Sequence, residues 1–239
     1  VSEQRYDQTK VSEYREAATK LHEALLTVEQ RLDAAFENGI NQDVHDALAE
    51  LNASGVELEK LRLTLTPTDL FIAKYNIQVH GSHEVSFVLP TGVSRYEMLS
   101  EAQRVVTERD LVWPNDLKKW EKNPKFTDAC TTPERIQIDG HVEGGDWKTK
   151  AEQVTLLKTK GLPLASLEDL AGAFVVFYVA TGEPLFGWYN KSYGQSFAVR
   201  AAGGELSFDS SGLYVRDIAV GNGFRELAVA ARVPGKSEN

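Results

Sequence analysis

The chain has 239 residues, 42% of them apolar and 26% charged, with a formal charge of −9. That length suits one large domain or two smaller ones. The acidic balance, with no dense basic run, excludes a nucleic-acid binder, because phosphate contacts draw on clustered Lys and Arg. A lone cysteine, Cys130, excludes an internal disulfide. It points to a reducing compartment, the cytoplasm, with export after removal of a leader as the alternative.

From the amino terminus, Val11, Tyr14, Ala18, Leu21, Leu25, Val28, Leu32 and Ala35 recur at alternating spacings of three and four. This is the seam of a helix that packs on another helix. Asn38-Gly39 ends it, and Asn41 or Asp43 can cap a second helix carrying Val44, Ala47, Leu51, Ser54, Leu58, Leu61 and Leu65. Ser54-Gly55 interrupts that second stripe, and Thr66-Pro67-Thr68-Asp69 closes the unit. Two helices joined by so short a connection fold back as an antiparallel αα-hairpin, coiled-coil-like, over residues 1–66. Its core is too small to be comfortable alone. It is therefore expected either to lie on the following domain or to meet a protein partner or a homo-oligomer, with Tyr14, Leu21, Leu25, Val28, Leu32, Leu51 and Leu58 as the contact residues.

Residues 67–239 read as a mixed α+β domain. Tyr75, Ile77 and Val79, then Val85, Phe87 and Leu89, alternate with polar residues around His80-Gly81-Ser82-His83, which predicts a β-hairpin. Ser94 and Glu97 have capping-box spacing and open a helix. A short helix starts at Pro114, and residues 121–132 read as loop. Ile136 and Ile138 mark a strand, residues 140–146 a turn, and Ala151 to Gly161 a helix with its stop.

The most apolar stretch, residues 166–189, predicts a buried helix that begins at a Ser166/Asp169 capping box and ends at Gly182. A strand from Leu185 to Tyr189, apolar on both faces, is expected next. The apolar run is well short of the roughly 20 residues that span a bilayer, so no membrane span is expected. Strands at 196–199, 205–208, 213–218 and 224–233 follow, divided by glycine turns of the kind antiparallel hairpins use. Helices and strands do not alternate regularly, so the fold class is α+β, ending in an antiparallel sheet.

Residues 135–149, RIQIDGHVEGGDWKT, concentrate ionisable groups in a strand, turn and helix order. Gly140 and Gly145 have phosphate-loop spacing, but Asp146 and Trp147 displace Lys148 and Thr149 from their places in that motif. His141 and Glu143 match the His-x-Glu of zinc deaminases without the paired cysteines those sites need. Asp139, His141, Glu143 and Asp146 could instead hold a divalent cation, the basis of a metal-dependent, hydrolase-like alternative. Otherwise no cofactor is expected, and no catalytic residue is assigned. His80 and His83 could share a transition metal, and Cys130 could act as a nucleophile. Trp188, Tyr189 and Tyr193 could form an aromatic platform for a carbohydrate or another surface. The leading expectation is a non-enzymatic binding or assembly protein, in which the hairpin associates and the carboxy-terminal domain recognises.

Overall fold

In the computed structural model, which describes residues 5–38, 42–146, 148–190, 195–196, 198–215 and 227–234, the expected α+β fold is present. The chain divides into two units, Tyr6–Ala73 and Lys74–Asn239 together with Val1–Arg5.

In the first unit, α1 (Gln8–Asn38) and α2 (Gln42–Arg62) form the hairpin. Arg31 meets Asp43 at 3.2 Å near the turn, and Leu21 lies against Gly55 further out, so the helices run antiparallel. The buried seam keeps Val11, Val28, Val44 and Ala47 of the predicted one, while Ala17 and Ala24 are buried in place of Ala18 and Leu25. Val11, Ala17, Ala24 and Val28 of α1 and Val44 and Ala47 of α2 take the inner places. Ala24, one position before Leu25, lets the backbones come closer than a leucine would, and a straight helix drifts off a seven-residue repeat by about 20° per heptad. Leu25 and Leu32 are left outside, 43% and 45% exposed.

The stretch Thr66-Pro67-Thr68-Asp69, expected to close the hairpin, starts a further helix, α3 (Pro67–Lys74). The Thr66 hydroxyl accepts from the Asp69 N–H at 3.1 Å, and Asp69 accepts from the Thr66 N–H at 2.9 Å. Proline after a threonine and before an acid is a helix start as readily as a stop.

The second unit begins with β1 (Gln78–Val79), β2 (Glu84–Leu89) and α4 (Arg95–Val105), the last with both arms of the Ser94/Glu97 capping box formed. Next come α5 (Pro114–Trp120), α6 (Pro124–Thr127), β3 (Glu134–Asp139) and α7 (Lys150–Lys160). Within the expected loop at 121–132, α6 forms because Asn123 caps Lys125 N–H and Pro124 needs no donor partner. The chain continues through α8 (Leu167–Thr181), β4 (Trp188–Asn190), β5 (Gln195–Ser196), β6 (Ala198–Ala201), β7 (Gly204–Asp209), β8 (Gly212–Val215), β9 (Leu227–Val229) and β10 (Ala231–Arg232).

The unit is built around α8, buried from Glu168 to Thr181. Gly172 lets two neighbours close in: a methyl there would sit 2.8 Å from Met98 Cε of α4 and 3.2 Å from Phe87 Cζ of β2. Elsewhere on the helix, the Phe174 ring lies 4.8 Å from Phe208 of β7 and 5.1 Å from Phe186. The helix therefore packs against strands of both larger sheets, whose orders are β1-β2-β3-β10 and β8-β7-β6-β9. At its end, Gly182 takes φ 73° and donates to the Tyr178 carbonyl at 2.7 Å, the left-handed cap expected there.

Two expected strands are altered. Leu185 and Phe186 are buried in a turn closed by Gly187, which has φ 74° and donates to the Pro184 carbonyl, so the strand starts only at Trp188. Of the single strand expected at 224–233, residues 224–226 lie outside the described residues and the rest is split between two sheets. Its β9 part lies parallel to β6, and its β10 part lies antiparallel to β3. Ala230 is the crossover, donating to the Arg200 carbonyl and accepting from the Ala165 N–H.

Candidate functional site

The turn after β3 is held by β9 and α7. Val142 N–H donates to the Val229 carbonyl of β9, and a methyl at Gly145 would lie 2.6 Å from Val229 Cγ1. The Gly145 carbonyl accepts from buried Gln153 Nε2 of α7 at 2.9 Å, and Gln153 Oε1 in turn accepts from Arg200 of β6. The phosphate-loop order of strand, turn and helix exists, but the helix start is already served. Thr149 and Glu152 form a complete capping box, so a carboxylate occupies the place an anion would take.

The structure brings part of the Asp139, His141, Glu143 and Asp146 set together. The Asp139 carboxylate accepts from the His141 N–H at 2.9 Å. The His141 ring faces Asp146 Oδ1 with Nε2 at 2.7 Å and the Phe186 carbonyl with Nδ1 at 3.3 Å. Glu143 is exposed. A metal-bound imidazole needs one nitrogen for the ion and one for a supporting acceptor. Here both face protein oxygens, and among the described residues no group of three His, Cys, Asp or Glu side chains is placed to hold an ion.

His83, which the sequence pairs with His80, goes to His141 instead, with ring centroids 5.0 Å apart and its Nδ1 3.0 Å from the Leu185 carbonyl. His80 binds Ser86 Oγ at 2.8 Å. A β-hairpin tip brings its two histidines near in sequence, but the strands decide which way each ring leaves.

Burial is the main cause that lifts the Asp139 carboxyl above the usual carboxylate range, with Glu84 adding to it and the His141 N–H opposing. A carboxyl whose pKa is higher folded than unfolded binds more protons in the folded state. Its contribution is full below the unfolded pKa and is lost as pH rises through the folded one. Asp139→Asn, which keeps the acceptor and removes the charge, is expected to raise the melting temperature at neutral pH. The gain should shrink on acidification, as the native carboxyl takes up its proton. A melting series over pH checks this, and a gain that grows on acidification would contradict it.

A second polar cluster joins α4, β3, α8 and β10. Arg95 donates to Asp169 Oδ1 through Nε at 2.9 Å and Nη2 at 2.7 Å, and to Glu134 at 3.0 Å. Arg232 donates to Glu134 at 2.9 Å and to Asp169 at 3.4 Å. Only half of the capping box expected at Ser166 forms: Ser166 accepts from the Asp169 N–H, while the Asp169 carboxylate turns to the arginines. Burial opposes ionisation of Glu134, but Arg232 and Arg95 outweigh it and hold the carboxyl below the ordinary range. The Cys130 thiol lies 3.8 Å from Glu134, and burial pushes its pKa up, against the direction that activates a nucleophile.

Of the expected aromatic platform, β4 carries the backbone of Trp188 and Tyr189. Their side chains and Tyr193 lie outside the described residues.

On the hairpin, the expected contact residues separate into three groups. Val28 is buried in the seam; Tyr14, Leu21, Leu51 and Leu58 are partly covered; Leu25 and Leu32 are exposed. Leu26 on α1, Leu48 and Val56 on α2, and Leu63 just beyond it are also exposed, Leu63 by 73%. An open groove of about 630 Å³ runs along α2, lined by Leu48, Leu51, Gly55, Val56 and Leu63 among others. Positions 48, 52, 55, 56, 59 and 63 fall on one face at helical spacing, a mixed stripe in which Leu48, Val56 and Leu63 are apolar and Asn52 and Glu59 polar. The sequence carries that signal, but Leu48, Val56 and Leu63 fall outside the contact set read from the first stripe.

Comparison of the chain with protein-family models, curated proteins and solved structures finds no significant match. No helix among the described residues is long and apolar enough to cross a membrane.

Proposed function

We propose that this chain is a non-enzymatic assembly protein whose helical hairpin associates with another helical surface while the Lys74–Asn239 unit serves recognition. The supporting observation is the groove along α2, where Leu48, Leu51, Val56 and Leu63 lie beside Asn52, Glu59 and Lys60, with Leu48, Val56 and Leu63 exposed. Contiguous exposed apolar surface of this kind marks interaction sites, because covering it recovers about 25 cal/mol per Å² removed from water.

Lysine-reactive cross-linking in the producing cells tests the reading. Intermolecular links are expected from Lys20 or Lys60, exposed on α1 and α2, to a second polypeptide. Links confined to the Lys74–Asn239 unit would overturn it.

A further inference from the structure

We infer that Arg5 is a salt-sensitive strap: it closes the carboxy-terminal end of α8 from outside the helix, and its release uncovers Tyr178 and the last helical turn. Arg5 groups with the Lys74–Asn239 unit, which is built around α8. A helix end leaves carbonyls without partners inside the helix. In α8, Thr181 Oγ1 donates to the Phe177 carbonyl at 2.8 Å, and the Gly182 N–H donates to the Tyr178 carbonyl at 2.7 Å. The Ala180 carbonyl is served from far away in the sequence, accepting from the Arg5 N–H at 2.9 Å.

Charge points the same way. The first turn of α8 carries Glu168 and Asp169 and its last turn no base, so its own residues match the helix dipole at one end only. Arg5 brings the missing cation. Its guanidinium lies 5.7 Å from the centre of the Tyr178 ring, within cation–π reach, and meets Glu108 at 2.6 Å. A methyl at Gly182 would collide with Arg5 Nε, Cζ and Nη2, so this glycine makes room for the strap besides supplying its φ of 73°. The hold is a releasable one. The Arg5 and Glu108 side chains are 43% and 50% exposed, so salt screens both the ion pair and the attraction to the helix end. Tyr178, only 5% exposed with the strap in place, is what opening reveals.

Hydrogen–deuterium exchange on the full chain tests this through the peptide covering Phe177 to Gly182. At low salt, Arg5→Ala should speed its exchange about three- to tenfold, the joint weight of one exposed ion pair and one charge at a helix end. Raising the salt from about 0.01 M to about 1 M, which shortens the Debye length from about 30 Å to about 3 Å, should bring the native peptide toward the same rate. Arg5→Ala should show no such salt response. Equal exchange in native and variant chains overturns the strap, and a salt response that persists in Arg5→Ala overturns the part given to charge. Gly182→Ala supplies a second reading. It should lower the melting temperature more in the native chain than in Arg5→Ala, where only the strain of a left-handed alanine remains. Equal drops would show that the guanidinium does not occupy that space.

Discussion

Asp169→Ala is expected to destabilise the folded chain by about 3–5 kcal/mol, the range seen when one partner of a buried ion pair is removed. The Asp169 side chain is only 4% exposed and meets Arg95 and Arg232, while Arg95 is itself 16% exposed. Deleting the carboxylate leaves a desolvated guanidinium with Glu134 as its remaining acid and removes a tie between α8 and both β10 and α4. Glu134→Ala is expected to cost clearly less, because that side chain is 32% exposed and water can replace it. Urea unfolding of the two variants beside the native chain checks both size and order. A loss under about 1 kcal/mol for Asp169→Ala would mean the network carries little of the fold.

Phe174→Ala is the second large effect, expected at about 3–5 kcal/mol. Phe174 is fully buried in the middle of α8, and its ring packs on Phe186, Phe208 and Tyr178. Truncation empties a site walled by large rigid rings from a turn, a strand and its own helix, which cannot all collapse together. Phe174→Leu should cost less, since it refills most of the volume. Domains carry about 5–15 kcal/mol in all, so the alanine variant should have a sharply lower unfolding midpoint. Near-equality of the two variants would show that the cavity relaxes and that α8 is not the rigid centre of its unit.

The amino-acid order determined most of the helices and their ends. Local chemistry suffices for these: Ser94 with Glu97 closes a capping box, Gly161 and Gly182 take the left-handed cap, and the apolar length of 166–181 demands burial wherever it lies. The α+β class followed from the same local signals. Some signals are two-sided: Thr66 to Asp69 follow the end of α2 at Arg62 and also start α3.

What the tertiary structure decided is where each side chain is spent. Asp169 has cap spacing, but two arginines distant in sequence claim its carboxylate. His83 has a neighbour in His80 and meets His141. One carboxy-terminal apolar run pairs with two sheets because Arg200 and Asp139 lie on either side of Ala230. On the hairpin, periodicity alone could not tell Ala24 from Leu25 as the inner residue. Helical spacing defines a stripe about one residue wide, and only the fit of small side chains between two backbones selects which edge of it is buried and which leucines stay outside.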